Sequence, residues 1–140
     1  MPTANINDIT VNYLIEGPSD GETIVLINGL ADDLESWGTQ VPAFLDASYR
    51  VLRYDNRGIG HTSRPKGPYT AELLASDLHG LLLSLGLTSF HLLGVSMGGM
   101  IAQSYALKYP NGSAAAKGCE MLTLSLCCTC LLYTSDAADE

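Results

Sequence analysis

The sequence predicts an α/β domain: a mostly parallel sheet with flanking helices. Three observations carry this. Short apolar runs without alternation, such as "TIVLI" (23–27) and "FHLLGV" (90–95), suit strands buried on both faces. Such runs alternate along the chain with stretches of helical period, the arrangement that makes parallel sheets. The run at 90–95 also passes directly through "SMGG" into a helical pattern, a strand–turn–helix junction.

Taken in order, residues 9–15 ("ITVNYLI") are rich in β-branched and aromatic residues and end at the turn "EGPSDGE". They read as a strand, paired in a hairpin with Ala4–Asn7. The run 23–27 is the next strand. Glu35 to Leu45 places Trp37, Val41, Phe44 and Leu45 at roughly helical spacing, and Pro42 is expected to interrupt this helix. "YRVLRYD" (49–55) is a strand, and the Gly- and Pro-rich segment 56–68 a loop. Thr70 is a candidate N-cap for a helix in which Leu73, Leu74, Asp77, Leu78, Leu81, Leu82 and Leu85 recur at helical intervals, with Gly86 as its stop. Strand 90–95, helix 97–110 and a last strand at 120–126 complete the series.

The 140 residues allow one domain with one core. A net charge of −8 argues against nucleic-acid binding, which needs a basic face, and against docking on an anionic membrane. No apolar run reaches the roughly 18 residues that span a bilayer. The N-terminus lacks the basic-then-apolar pattern of a signal peptide, so a soluble, cytoplasmic protein is expected. Cys119, Cys127, Cys128 and Cys130 all fall near the C-terminus, with neither a disulfide framework nor zinc-ligand spacing, so no metal site is expected.

Gly94-Val95-Ser96-Met97-Gly98 satisfies G-x-S-x-G between a buried strand and a helix. A turn this sharp forces the serine into strained backbone angles. Side chains two positions before or after would collide, which Gly94 and Gly98 avoid, and the hydroxyl then stands clear at the carboxyl end of the strand. The helix that follows aims its N-terminal N–H groups at the same place.

Three motifs in order resemble the N-terminal half of an α/β-hydrolase of the lipase, esterase and lactonase group. "LINGLADDLESW" (26–37) resembles the oxyanion loop after the third strand, "YDNRGIGHTSRP" (54–65) the loop after the fourth, and "HLLGVSMGGMIAQSYALKYP" (91–110) the elbow and its helix. The resemblance implies that Ser96 is the nucleophile and that the backbone N–H groups of Met97 and Leu30 form the oxyanion hole. The family usually has His-Gly where this chain has Asn28-Gly29, and Asn28 is expected to replace that histidine as a hydrogen-bonder within the loop. Asp55, Arg57, Gly58 and Gly60 read as structural. Asp55 and Arg57 are expected to pair and pin their loop, with substrate binding by Arg57 as the alternative. A serine rather than an aspartate at the elbow implies acyl transfer from a small-molecule ester, lactone or thioester. The text of 26–110 is most similar to enol-lactonase-type enzymes and related ester hydrolases. No cofactor is implied. The alternatives are a non-catalytic receptor or carrier of a small ligand, and a perhydrolase- or haloperoxidase-like activity.

The family's triad order is Ser, then Asp or Glu, then His. His61, His79 and His91 all precede Ser96, and Glu120, Asp136, Asp139 and Glu140 follow no recognisable seventh strand. The base and the acid are therefore expected to be missing. The C-terminal stretch "CLLYTSDAADE" (130–140) resembles the read-through translation of a transposase adapter used in sequencing libraries. Residues 1–129 are accordingly expected to be the N-terminal part of a single α/β-hydrolase domain, an incomplete fold lacking strands seven and eight and the cap, and 130–140 a non-native tail; a divergent natural tail is the alternative. Expressed alone, the 140-residue chain is expected to be poorly soluble and to turn over nitrophenyl esters negligibly. A soluble monomer with ordinary enzyme turnover would overturn this.

Overall fold

The computed structural model describes residues 1–127. Outside them lie the expected tail at 130–140, Cys128, Cys130, and the acidic candidates Asp136, Asp139 and Glu140. The described chain is an α/β fold whose strands lie in the order β1-β2-β4-β3-β5-β6. β1 (Thr3–Ile6) and β2 (Ile9–Glu16) form an antiparallel hairpin. Its turn is Asn7-Asp8, both at positive φ, which is the two-residue geometry that matches strand twist. β2 joins β4 (Arg50–Tyr54) antiparallel. From there β4, β3 (Thr23–Ile27), β5 (Ser89–Val95) and β6 (Glu120–Cys127) run parallel.

The unbroken apolar run of β3 has two cores to fill. Val25 and Ile27 pack on one face with Leu52, Phe90, Leu92 and the helices, whereas Ile24 and Leu26 pack on the other with Trp37, Val41 and Val51. Residues 35–45 do not form one broken helix. A 3₁₀ turn (Leu34–Trp37) is followed by a separate short helix, α1 (Val41–Asp46). Pro42 sits in the first turn of α1, where its missing N–H needs no partner, so it starts a helix rather than interrupting one.

α2 (Ala71–Ser84) begins where Thr70 Oγ1 accepts a hydrogen bond from the Leu73 N–H at 3.1 Å. It ends before Gly86, at φ 66. It buries Leu74, Leu78, Leu81 and Leu82 against the sheet and α3 (Met97–Lys108). His79 is part of this packing. It is buried, its Nδ1 lies 3.0 Å from the Tyr105 hydroxyl, and its ring stacks on Tyr109. Burial, with Lys117 nearby, holds its imidazole below the ordinary histidine value. β6 is the least covered strand, with Leu122, Leu124 and Leu126 exposed. Among the described residues no helix is long and apolar enough to cross a membrane.

Asp77 lies on the same buried stripe of α2 as its leucines. Its carboxylate receives a two-pronged contact from Arg57, Nε and a terminal guanidinium nitrogen each at 2.8 Å, and a third bond from Asn7 Nδ2 at 3.1 Å. The expected pair between Asp55 and Arg57 is therefore not formed. Arg57 turns toward the helix because the buried Asp77 has no other cationic partner among the described residues, whereas the Asp55 carboxylate is filled by neutral donors. Removing the guanidinium alone, as in Arg57→Leu, strands the Asp77 charge and is expected to cost about 3 kcal/mol in urea unfolding. The double substitution Arg57→Leu/Asp77→Leu should recover most of that loss.

Candidate active site

Ser96 stands between β5 and α3 at φ 54 and ψ −120, a strained conformation for a residue with a Cβ. It is solvent-exposed, and its hydroxyl makes no capping bond to the helix. Two glycines make the turn possible. A Cβ on Gly94 would lie 2.3 Å from the Gly98 carbonyl oxygen, and one on Gly98 would lie 2.1 Å from the Ile27 oxygen. The start of α3 is thus pressed against the end of β3. The backbone is held from both sides: the Ser96 N–H donates to the Cys127 carbonyl at 2.8 Å, and the Gly99 N–H donates back to the Ser96 carbonyl at 2.9 Å.

The register of β3 on β5 places Ile27 opposite Gly94. The loop after β3 therefore emerges beside the elbow. Gly29 is buried there, and a Cβ on it would come within 3.4 Å of the Ser96 Cβ. Asn28 is 1% exposed and works inside the loop. Its Nδ2 donates to the Asp32 carbonyl at 3.1 Å, and its Oδ1 accepts from the Trp37 indole N–H. Asp55, the residue after β4, braces the far end of the same loop, accepting from the Leu34 N–H at 2.8 Å. The same carboxylate accepts from Asn12 Nδ2 at 2.9 Å and from the His61 N–H at 3.0 Å. Arg53 adds a bond to the Leu34 carbonyl at 3.0 Å.

Leu30 and Met97 share the wall of one cavity of about 320 Å³. Met97 opens α3, so its N–H has no acceptor within the helix. The rest of the lining includes Ala31, Ile59, Leu74 and Met100, with Asn56 and Tyr69. This is a mostly apolar recess opening beside the first turn of a helix.

Residues 22–116 match the family described as the alpha/beta hydrolase fold. The chain belongs to that family. It is 40% identical, over 74% of its length, to a protein of Synechocystis sp. provisionally named a non-heme chloroperoxidase, of which it covers 37%. It is 35% identical, over 77% of its length, to 3-oxoadipate enol-lactonase 2 of Acinetobacter baylyi, covering 40% of that protein. The crystal structure of the enol-lactonase from Burkholderia xenovorans LB400 superposes on 79% of this chain at a TM-score of 0.72 and 41% identity, with 42% of that chain covered. This alpha/beta hydrolase thus spans about 40% of the length of relatives it matches.

None of the three histidines hydrogen-bonds to Ser96. His61 is exposed in the loop after β4. His79 is packed between α2 and α3. His91 lies toward the amino end of β5, between Glu22 and Thr123, each at 2.8 Å. Glu120 begins β6, opposite Ser89, at the end of the sheet away from the elbow. Asn12, Asn56 and Asp77 were not singled out as site residues by sequence. Asp77 does leave a signal, since a carboxylate within a leucine stripe requires a buried partner. Replacing Gly98 with alanine drives its Cβ into the Ile27 carbonyl. Gly98→Ala is expected to cost about 3 kcal/mol in thermal or urea unfolding.

Proposed function

We propose that the complete protein is a serine hydrolase that transfers the acyl group of a carboxylic ester, lactone or thioester to water. The observation that carries this is the exposed Ser96 on its strained turn, beside a loop closely packed against it and next in the chain to Met97, which lines an apolar cavity. The Ser96 oxygen attacks the carbonyl carbon, and the Met97 and Leu30 N–H groups receive the resulting oxyanion. The bond to the leaving alcohol or thiol then breaks, and that group departs with the proton taken from Ser96. Water attacks the acyl-enzyme, which releases the acid and restores the hydroxyl. By the family's chain order, the histidine that carries the proton and the acid that orients it follow Ser96 in the complete protein.

The likeness to an enol-lactonase supports a lactone or ester substrate. The likeness to a protein named a chloroperoxidase favours a second reading, in which peroxide rather than water accepts the acyl group from the same serine. Fluorophosphonate labelling of the complete protein tests both against a non-catalytic ligand carrier. Labelling is expected in the natural protein and absent in Ser96→Ala, with ester turnover reduced more than about a thousandfold. An unlabelled natural protein would overturn the proposal, and the yield of peracid in added peroxide separates the two acceptors.

A further inference from the structure

The cavity that Leu30 and Met97 share has a direction. β5, β3 and β4 lie side by side and parallel, so the loops after them emerge in a row along one edge of the sheet. Met97 follows β5, Leu30 follows β3, and Gly58 follows β4, and all three line the cavity. It therefore runs across two strand spacings, about 10 Å. Tyr69 stands at its β4 side. A Cβ on Gly58 would lie 2.6 Å from the Tyr69 Cε2, so the bare glycine backbone is what lets the ring lie there. The Tyr69 hydroxyl donates to the Pro65 carbonyl, which fixes the outer end of the ring. The charged residue of the lining is Arg57, and Asp77 holds its guanidinium in the two-pronged contact. Among the described residues the lining thus carries no unpaired charge.

We propose that this cavity is a slot for the acyl chain, that it takes an uncharged hydrocarbon chain of roughly six to eight carbons, and that Tyr69 limits the length of that chain. The length follows from the direction. An extended chain advances about 3.5 Å for every three bonds, so about 10 Å holds roughly eight bonds. The class follows from the lining. Each methylene that leaves water for the apolar wall adds affinity, whereas a carboxylate at the chain's end loses its hydration and meets no free cation. The acyl side of the ester is the part that enters. The leaving group must reach the base, and the base follows Ser96 in a chain that passes through α3 to β6. β6 and the slot lie on opposite sides of β5. That the occupant is an ester or lactone rests on the acyl-transfer proposal; the slot's preference for an uncharged chain of limited length does not.

The test is equilibrium binding, so that it does not depend on the nucleophile. In the complete protein carrying Ser96→Ala, calorimetry compares methyl acetate, methyl hexanoate, methyl decanoate and monomethyl adipate, in which a carboxylate ends a six-carbon chain. Methyl hexanoate is expected to bind at least about tenfold more tightly than methyl acetate, which lacks the chain, and than monomethyl adipate, which charges it. Methyl decanoate should gain nothing over hexanoate. Adding Tyr69→Ala removes the stop, and decanoate should then bind at least about tenfold more tightly than hexanoate. Tyr69→Phe keeps the ring and should keep the limit. Monomethyl adipate binding as tightly as methyl hexanoate overturns the uncharged slot whatever the Tyr69 variants do. Decanoate outbinding hexanoate before Tyr69 is changed, or still matching it in a folded Tyr69→Ala protein, overturns the role of Tyr69. A natural protein that resists fluorophosphonate while showing these binding preferences would overturn the acyl-transfer proposal alone.

Discussion

The Asp55 carboxylate is buried and accepts hydrogen bonds from three segments far apart in sequence: Asn12 on β2, Leu34 after the loop that follows β3, and His61 in the loop that follows β4. A buried anion without donors is costly, and donors to an anion make the stronger class of hydrogen bond. Each segment is thereby held to a common point, and the loops after β3 and β4 cannot drift independently. The space is tight enough that a Cβ on Gly60 would sit 2.2 Å from one carboxylate oxygen. Gly60 also has a φ of +54, so glycine answers both steric demands at once. The position of Leu30 and the shape of the cavity it lines both follow from this anchoring.

The strain at Ser96 is held from the other direction. A residue keeps an unfavourable backbone conformation only when its surroundings over-determine it. Here the constraints are the closely packed Gly94 and Gly98, the end of β3 against the start of α3, and two backbone hydrogen bonds at the serine itself. The two centres divide the work. Asp55 sets where the loops lie, and the elbow sets where the hydroxyl lies. The β3–β5 register brings the two together.

Features with a local cause were legible in the sequence. Thr70 and Gly86 mark the ends of α2 because capping is a contact between near neighbours. The unbroken apolar run of β3 discloses two buried faces, and the glycines around Ser96 disclose the elbow. Pro42 misled, because the same residue that breaks a helix interior is also favoured in a first turn. Long-range polar partnerships were not legible. Arg57 sits beside Asp55 in sequence yet pairs with Asp77, twenty residues away, because sequence reports a charge but not what folds across from it. Asn56 was hidden for the same reason: only the three-dimensional neighbourhood shows that its buried amide has no partner among the described residues.

The bond from the Ser96 N–H to the Cys127 carbonyl has a consequence in time. Chains emerge from the ribosome N-terminus first and fold as they lengthen. β5 and α3 leave the ribosome well before β6, so the elbow exists for a period with its serine amide unanchored. That tether becomes available only once residue 127 has been made and β6 has docked beside β5. The serine amide is thus tethered only after the elbow's own residues have been made, and through a main-chain carbonyl of β6.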